Sequence, residues 1–522
     1  MRYRKILLLI CCTLFIAGCG KTEGVKKDED EYGFLVAESG EVSIPLTPFD
    51  SLDPLTTSNM SYFYLCGLVY DGLYSLDKNY KPVRELVESE EIEGHSVILK
   101  LKDAVTFHDG STLAAADVIN SLEHIKNAGV GAYFDLIRNP INGEMSLKAT
   151  VLDSKTVKFT WDGPGPMLLE YLIFPIVKYR GDNNSMPLGT GPFKFEKYET
   201  KKAVYLSRYE YYYDEMPSIT KVTGIVHEDE DLIFTSLETG RINVSTAWTS
   251  EYGRFYNNDK FSADIFPGNK LTFMFLNTKG PLEDENLRKA VSYAIDKDEL
   301  IKNSVKDRGV KTSSFLNPKS YYSNSMNDET NLEKAEQIFS NTKPTFRLYF
   351  YWGDKEQIEV ANYITAALKN AGAEVDIIDG EGEDFETYLQ KVKDGNYDIL
   401  ISQMNADIVP TYPIFLNSGI FPMEDEEFNH IISKIKNSTN SRDLLQINKE
   451  IERYVMNKKV FVPLFFNQNA MIYSNQIISE YESNNIFPYK SLKRAYFTEK
   501  HDGKGIDEPE VKTDEKKENK TE

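Results

Sequence analysis

The sequence predicts an α/β fold with two unlike lobes and a cleft between them. Residues 345–402 read as strand, helix, strand, helix, strand, because β-branched and aromatic runs alternate with apolar residues at helical spacing. The first half instead contains short segments in which apolar and polar residues alternate, at 96–102, 156–161, 194–198 and 203–207. With 522 residues the chain is long enough for two or three domains.

The β-α-β-α-β segment implies a parallel sheet with right-handed crossovers. Its predicted strands are Thr345–Trp352, Ala373–Ile378 and Tyr397–Ser402, and its predicted helices are Glu356–Asn370 and Phe385–Val392. Ligands of open α/β sheets bind beyond the carboxyl ends of the strands. The segment 403–413 follows the last of these strands and is therefore the candidate ligand site.

Further elements complete one α/β lobe that runs from about residue 268 to 467. A helix with apolar residues on one face is predicted from Asp284 to Ser304, and Asp284 is the candidate N-cap. Two amphipathic helices at 426–436 and 442–456 and a strand at 460–467 follow the parallel sheet.

The amino end predicts a lipid-modified secretion signal. Basic residues precede an apolar core, Ile6–Ile16, which is shorter than the roughly 20 residues that a membrane-spanning helix needs. The core ends in Ile16-Ala17-Gly18-Cys19, which resembles the lipobox of bacterial lipoproteins. That resemblance implies removal of residues 1–18 and a diacylglycerol thioether, with an acyl chain such as palmitate, on Cys19. The alternative is an uncleaved helical anchor.

Both ends of the exported chain are charged and poor in apolar residues. We expect a flexible linker at 19–34 and a disordered tail at 499–522. Only Cys19 and Cys66 remain once the signal is removed, so no disulfide is expected in an acylated chain. Cys66 lies in an apolar stretch and is predicted to be a small buried side chain.

Charge and motifs exclude several classes of function. A net charge of −21 disfavours a nucleic-acid partner. The segment 227–231 begins like a zinc-protease helix, but Asp231 occupies the place of the second histidine. The six histidines are scattered, and neither a G-x-S-x-G elbow nor a phosphate-binding loop occurs. We therefore expect no metal, no cofactor and no catalytic residues, although a surface hydrolase stays open as an alternative.

Residues 97–118, VILKLKDAVTFHDGSTLAAADV, carry the most specific pattern in the chain. They read as a strand, a turn at Asp109-Gly110, and a helix that Ser111 or Thr112 opens. The stretch resembles the signature of the family 5 bacterial extracellular solute-binding proteins. Further stretches in the same order support this resemblance: LVYDGL at 68–73, PLGTGPF at 187–193 and LNT at 276–278.

The resemblance implies a two-lobed, periplasmic-binding-protein-like fold of type II, similar to cluster C, with an extra domain inserted in the amino-terminal lobe. The first lobe would comprise 35–75, 188–267 and 468–498, the insert 76–187, and the second lobe 268–467. Such a protein would act as a monomer, tethered by Cys19 to the extracytoplasmic face of the cell membrane. There it would capture short peptides and deliver them to the permease of an ABC importer.

The resemblance also suggests how a peptide would be held. Residues 404–408, MNADI, match a W-x-A-D-Y motif whose aspartate pairs with the ligand's α-ammonium group. This implies that Asp407 binds the ligand, with Met404 and Ile408 departing from the motif. The alternative role for Asp407 is to cap a turn or helix. The backbone of Gln403 and Asn405 would pair with an extended peptide.

Three aromatic residues are candidates for the opposite wall of the cleft: Tyr62, Trp248 and Tyr252. Each could instead belong to the core. Asn243 is expected to be structural. Because the motif departs from its pattern, a non-peptide solute such as a metal chelate or a sugar stays open, as does a signalling peptide.

Overall fold

The computed structural model describes residues 40–49, 51–138, 144–163, 165–181, 186–229, 231–247, 252–256, 258–323, 329–406, 419–421, 425–436, 438, 440–479 and 483–498. The predicted signal, linker and tail therefore lie outside the described residues. Within those ranges, no helix combines the length and the apolar character that crossing a membrane requires.

The strands alternate with helices mainly in the second half of the chain. In chain order the strands are β1 Glu41–Leu46, β2 Tyr74–Leu76, β3 Pro82–Arg84, β4 Val87–Glu93, β5 Ser96–Leu101, β6 Lys148–Asp153, β7 Thr156–Thr160, β8 Phe193–Glu199, β9 Ala203–Arg208, β10 Lys221–Val226, β11 Val244–Ala247, β12 Phe261–Leu276, β13 Gly309–Lys311, β14 Thr345–Tyr349, β15 Glu374–Ile377, β16 Ile399–Asn405, β17 Phe461–Ser474, β18 Ile477–Ser479 and β19 Ala495–Phe497.

The α-helices carry the connections between these strands. They are α1 Met60–Val69, α2 Ala115–Ala128, α3 Ala132–Leu136, α4 Asp231–Glu238, α5 Gly253–Tyr256, α6 Glu285–Tyr293, α7 Lys297–Val305, α8 Leu332–Thr342, α9 Lys355–Asn370, α10 Phe385–Asp394, α11 Glu426–Lys436 and α12 Ser441–Lys458.

Two separate four-stranded sheets occupy the first half. The sheet β1-β10-β9-β8 draws its strands from both sides of the predicted insert, with β1 parallel to β10. The sheet β4-β5-β7-β6 is antiparallel and lies within the predicted insert. The strands predicted from alternating residues are all present, and β5 and β7 bury every second side chain, as strands with one buried and one solvated face do.

The largest sheet has the strand order β11-β17-β12-β16-β14-β15, and β13 pairs with β17. Strand β14 is parallel to both β15 and β16, and the helices α9 and α10 make the crossovers. The predicted β-α-β-α-β arrangement is confirmed.

The single helix predicted from Asp284 to Ser304 is wrong, because the chain forms two helices there. Asp284 caps α6 as expected, accepting a hydrogen bond from Asn286 N at 2.8 Å. Helix α7 then starts separately, because the Asp296 side chain accepts hydrogen bonds from Asp298 N and Glu299 N. A second N-cap aspartate within the apolar pattern is what interrupts the helix.

The helix that follows the 97–118 strand also begins later than predicted. Gly110 adopts φ +81° in the expected turn, and its N–H donates to Phe107 O at 2.8 Å. Thr112 instead makes an antiparallel bridge to Thr106, and α2 begins at Ala115. Neither Ser111 nor Thr112 caps this helix.

Cys66 is buried in the apolar core, as predicted, and that burial raises the pKa of its thiol.

Nearby, a buried ion network ties the carboxyl-terminal segment to the start of the chain. Lys493 Nζ donates to Asp71 Oδ1 at 2.8 Å, and Lys490 Nζ donates to Glu85 Oε1 at 2.7 Å. Burial alone would raise the pKa of Glu85, but the two lysines hold it below its usual value. Each buried charge has an opposite partner, as buried ions require.

A second buried acid joins the insert to the second lobe. The Glu170 carboxylate accepts hydrogen bonds from the hydroxyl groups of Tyr321 and, at 2.9 Å, of Tyr322. Glu170 Oε2 is buried and accepts no hydrogen bond from the described residues. Burial raises the pKa of Glu170 to about 7, although the two tyrosine hydroxyl groups favour the carboxylate form. The main chain adds a bond here, from Tyr321 N to Asn79 O at 2.9 Å.

This contact predicts a pH dependence of stability. The folded-state pKa of Glu170 lies above its ordinary value of 4.5, so the folded protein holds a proton that the unfolded chain releases between pH 4.5 and about 7. The stabilisation that this proton gives to the folded state is fully present below pH 4.5, the pKa in the unfolded chain, and is lost as the pH rises through about 7. We expect the free energy of unfolding of the wild type, relative to Glu170→Gln, to fall by about 2–3 kcal/mol between pH 5 and 8.

Urea unfolding of both proteins across that range measures the difference. Glu336→Gln, at an exposed position on α8, is the matched control and should follow the wild type. A difference between wild type and Glu170→Gln that does not vary with pH would contradict the assignment.

Candidate ligand-binding site

A cavity of about 660 Å³, which we call the first chamber, is lined by residues of the predicted first lobe, the predicted insert and the predicted second lobe. One part of its wall is aromatic and the other is made of carboxamides. The aromatic residues are Phe63, Tyr64, Tyr80 and Tyr133. The carboxamide residues are Asn269, Asn317, Asn405, Asn467, Asn469 and Asn485. Among the described lining residues no side chain carries a formal charge.

The aromatic wall is positioned by the start of α1. The Asn59 side chain caps this helix by accepting a hydrogen bond from Tyr62 N at 2.9 Å. The next residue, Phe63, lies against Tyr133 of the insert, with ring centroids 4.9 Å apart. Phe63 also stacks on Phe487 at 5.6 Å, which fixes the wall from behind.

The carboxamide wall is built on two long strands, β12 and β17, which pair with each other in antiparallel register. The register slips between Pro267 and Leu271, opposite Gln468 and Phe466. The slip coincides with the predicted boundary between the two lobes at 267/268 and 467/468. A Cβ at Gly268 would lie 2.1 Å from Asn467 Oδ1, so only glycine allows this close approach.

Three carboxamides and a tyrosine form a relay of hydrogen bonds across this slip. Asn467 Oδ1 accepts from Lys270 N at 2.9 Å, and Asn467 Nδ2 donates to Asn469 Oδ1 at 2.9 Å. Asn469 Nδ2 donates to Asn485 Oδ1 at 2.8 Å. Asn485 Nδ2 donates to Tyr80 Oη and to Pro267 O, each at 2.7 Å.

A further carboxamide outside this relay, Asn317, holds the slipped segment from the other side, where its Nδ2 donates to Gly268 O at 2.7 Å. The relay thus connects the strand crossing to the first chamber and, through Tyr80, to the insert. Tyr80 itself has a positive φ of 59°, a conformation that its surroundings must impose.

At the carboxyl end of β16, beside the chamber, the main-chain groups that face away from β12 have no partner strand among the described residues. Strand β14 pairs with β16 only as far as Leu400, so β16 continues beyond it with β12 as its one neighbour in the described part of the chain. Ala406 N donates to Asn269 O at 2.7 Å. Alternate residues of an antiparallel strand direct their main-chain N–H and C=O groups to the partner strand. The main-chain groups of Met404 therefore also face β12, whereas those of Gln403 and Asn405 face away from it.

A second cavity, of about 510 Å³, lies along this open side of β16, and we call it the second chamber. Its apolar wall is formed by Tyr351, Phe385, Tyr388, Met404 and Phe421. Asn405 lines both chambers, which therefore adjoin at the end of β16.

The sequence matches a family model over the middle of the chain. The family model described as "Bacterial extracellular solute-binding proteins, family 5 Middle" matches residues 81–419. The chain belongs to this family. The match covers more than half of the sequence and includes the 97–118 stretch.

The curated proteins that are similar to this family 5 protein are named after different ligands. The glutathione-binding protein GsiB of Pectobacterium atrosepticum is 26% identical over 268 residues, 49% of this chain and 51% of GsiB. The nickel-binding protein NikA of Staphylococcus aureus is 21% identical over 411 residues, 75% of this chain and 77% of NikA. The match thus spans about half the length of GsiB and about three quarters of NikA.

Solved structures confirm the fold. The periplasmic murein tripeptide binding protein MppA, in an unliganded open form, matches with a TM-score of 0.77 and 16% identity, over 89% of this chain and 98% of MppA. The two-lobed periplasmic-binding-protein-like architecture that the family 5 resemblance implied is therefore present.

The structure brings three of the predicted ligand residues together at the end of β16. Gln403 and Met404 line the second chamber, and Asn405 lines both. Gln403 Nε2 donates to Glu356 Oε1 at 2.8 Å, so its side chain is held against α9. Asp407 lies outside the described residues. It is the next residue after Ala406, which lines the first chamber.

Two of the three predicted aromatic residues do not line the first chamber. Tyr62 is fully buried in the core, where its hydroxyl donates to Leu52 O at 2.7 Å and its ring stacks on Phe49. Its neighbours Phe63 and Tyr64 line the first chamber instead. Tyr252 is also buried, and its hydroxyl donates to Gln468 Oε1 at 2.9 Å.

Trp248 lies outside the described residues. Asn243 has the structural role that was expected, because its Oδ1 accepts from Ser43 N at 2.8 Å.

The carboxamide wall was not predicted, although the sequence contains a signal for it. Asn467 and Asn469 interrupt the apolar run of β17, and polar residues in the middle of a central strand require partners. The predicted strand ended at Asn467, so Asn469 lay beyond it and was not recognised as part of a central strand. No group of three histidine, cysteine, aspartate or glutamate side chains that could hold a metal occurs within the described ranges.

The relay generates a prediction about stability. Asn469→Ala removes the acceptor for Asn467 and the donor to Asn485, leaving two polar groups near the core without partners. We expect the free energy of unfolding to fall by about 1–3 kcal/mol. Urea unfolding at pH 7 measures the loss.

Asn303→Ala, at an exposed position on α7, is the control and should stay within about 0.5 kcal/mol of the wild type. An equal effect of the two substitutions would show that the relay does not stabilise the strand crossing.

Proposed function

We propose that this family 5 protein is the substrate-binding protein of an ABC importer and that it captures short peptides between its lobes. The observation that carries the proposal is the open main-chain edge of β16 at Gln403 and Asn405, flanked by two chambers. An extended peptide added to such an edge gains main-chain hydrogen bonds whatever its sequence, while its side chains enter neighbouring pockets.

The lobes of this proposal follow the predicted boundaries. The first lobe comprises 35–75, 188–267 and 468–498, the insert 76–187, and the second lobe 268–467. Strands β12 and β17 continue across the boundary, and the slip at Gly268 is the proposed hinge. A ligand favours closure only if it binds the closed state more tightly than the open one. A peptide in contact with β16 and with the aromatic wall meets that condition, because the two surfaces belong to different lobes.

Asp407 is the proposed partner of the peptide's α-ammonium group. The described lining of the first chamber supplies carboxamides and aromatic rings but no formal charge. A carboxylate beside that lining would therefore determine which end of a peptide is accepted, since an ammonium group that leaves water needs an opposite charge.

A neutral solute such as a sugar is the second candidate, and the composition of the first chamber favours it. Carboxamides beside aromatic rings bind hydroxyl groups and apolar faces as readily as they bind peptide groups. The names of GsiB, NikA and MppA refer to glutathione, nickel and a murein tripeptide, so the ligand class varies among relatives.

The remaining parts of the proposal concern location and partners. We propose that the protein is a monomer, that Cys19 carries the lipid anchor, and that the protein delivers its ligand to membrane permease subunits without turnover. The tether would hold the binding lobes at the extracytoplasmic surface, since two or more acyl chains give durable attachment.

Recognition of the peptide amino end gives the sharpest test. A pentapeptide with a free α-ammonium should bind the wild-type protein at least about tenfold more tightly than its N-acetylated form, because acetylation removes the charge that Asp407 pairs with. Asp407→Asn should reduce this ratio to near one. Isothermal titration calorimetry on the protein without its signal measures all four affinities.

Asp443→Asn, at an exposed position near the start of α12, is the matched control and should keep the full ratio. Equal binding of both peptides to the wild type would exclude Asp407 as the ammonium site. Binding of neither peptide, together with binding of a neutral sugar, would replace the peptide proposal by the second candidate.

The anchor predicts a separate outcome. In a bacterial host, Cys19→Ser should move the protein from the membrane fraction to the extracytoplasmic soluble fraction, because the acylated thiol is lost. Intact mass spectrometry of the wild type should show a chain that begins at Cys19 and carries acyl mass. Membrane retention of Cys19→Ser at wild-type level would favour the uncleaved helical anchor.

A further inference from the structure

The second chamber has an apolar surface that is partly exposed to solvent. Phe385, at the start of α10, is 54% exposed at its mouth. Its ring lies 5.4 Å from the ring of Tyr351 and 5.8 Å from that of Tyr388. These three rings form one apolar surface beside the open edge of β16, and covering such a surface is favourable.

The position of this surface relative to β16 determines what could cover it. Side chains alternate across a strand, and Gln403 points toward α9, where its Nε2 donates to Glu356 Oε1. Met404 and Ser402 therefore point to the opposite face. There Tyr388 Oη lies 3.4 Å from Ser402 Oγ, and Met404 belongs to the same apolar cluster as Tyr388.

A strand added beside Gln403 and Asn405 would place one residue opposite Met404. The side chain of that residue shares the face of Met404, whether the added strand runs parallel or antiparallel. It would therefore enter the second chamber among Met404, Tyr388 and Phe385.

The charged groups of the chamber already have partners. Lys270 Nζ lies 3.1 Å from Glu356 Oε1, and Asp354 caps α9 by accepting from Glu356 N at 2.8 Å. Among the described lining residues, a cationic ligand side chain would meet only Asp354, whose carboxylate already accepts two main-chain hydrogen bonds as the cap of α9, and an anionic one would have to displace Glu356 from Lys270. The chemistry of the chamber thus matches an uncharged, apolar side chain.

We propose that the second chamber is a specificity pocket that selects a peptide with a large apolar or aromatic side chain at the residue paired opposite Met404. This inference rests on the proposed peptide function and adds the class of side chain to it. The first chamber holds the adjoining part of the same peptide, since Asn405 lines both.

A positional series of pentapeptides tests the proposal. One phenylalanine is moved through the five positions of pentaalanine, and lysine and glutamate are moved in the same way. We expect phenylalanine at one position to tighten binding at least about tenfold over pentaalanine, because burying its ring on Phe385 removes apolar surface from water. Lysine and glutamate at that position should not.

Phe385→Ala should abolish the preference for phenylalanine while leaving the affinity for pentaalanine within about twofold, since the main-chain contacts persist. Phe385→Leu should restore part of the preference. Tyr211→Ala, which removes a ring that is 79% exposed in the first lobe, is the matched control and should change neither affinity.

The outcomes separate this inference from the proposed function. If all the peptides bind with equal affinity, the peptide function stands and the pocket is excluded. If phenylalanine is preferred but the preference survives Phe385→Ala, the preference arises elsewhere and the pocket is again excluded. If no pentapeptide binds, the peptide function fails and the inference fails with it.

Discussion

The slipped crossing of β12 and β17 is the constraint on which the rest of this structure depends. Both strands continue across the proposed boundary between the two lobes, so the proposed lobes share a sheet instead of meeting through loops. At Gly268 the ladder loses its register, and the main-chain groups that it leaves are taken up by carboxamides such as Asn467 and Asn317. The polar side chains that satisfy the crossing are the same ones that line the first chamber, because buried polar groups must find partners.

Because the same carboxamides satisfy the strand crossing and line the first chamber, the described lining of this chamber is uncharged and yet rich in hydrogen-bonding groups. A crossing satisfied by charged side chains would need buried counterions, whereas carboxamides donate and accept in sequence and so form a relay. The relay ends on Tyr80 in the insert, and the buried Glu170 joins the insert to the second lobe through Tyr322. The three parts of the protein are therefore connected both through the strands and around the edge of the chamber.

The sequence predicted the elements whose signals are local. The β-α-β-α-β segment, the α11 and α12 helices and the site at the end of β16 followed from periodicity, from capping and from the rule that ligands bind at strand ends. Tyr62 is buried while its neighbour Phe63 lines the first chamber, because neighbouring positions on α1 differ by about 100° in direction and tertiary packing decides which one faces the chamber. The carboxamide wall was missed because Asn469 and Asn485 come together only through the strand crossing. Asp296, the second N-cap aspartate, is a residue type that favours the start of a helix, but the apolar pattern continues across it and therefore predicted a single helix.

Amide hydrogen exchange tests directly whether the main chain of β16 binds the main chain of the ligand, as we propose. With a short peptide bound, the amide hydrogens of Gln403 and Asn405 should exchange markedly more slowly than in the free protein. That of Met404, which is already directed to β12, should change little by comparison. If a tightly bound peptide slows the exchange of other amide hydrogens but not of those of Gln403 and Asn405, the peptide does not pair with β16, and the proposed binding mode is wrong.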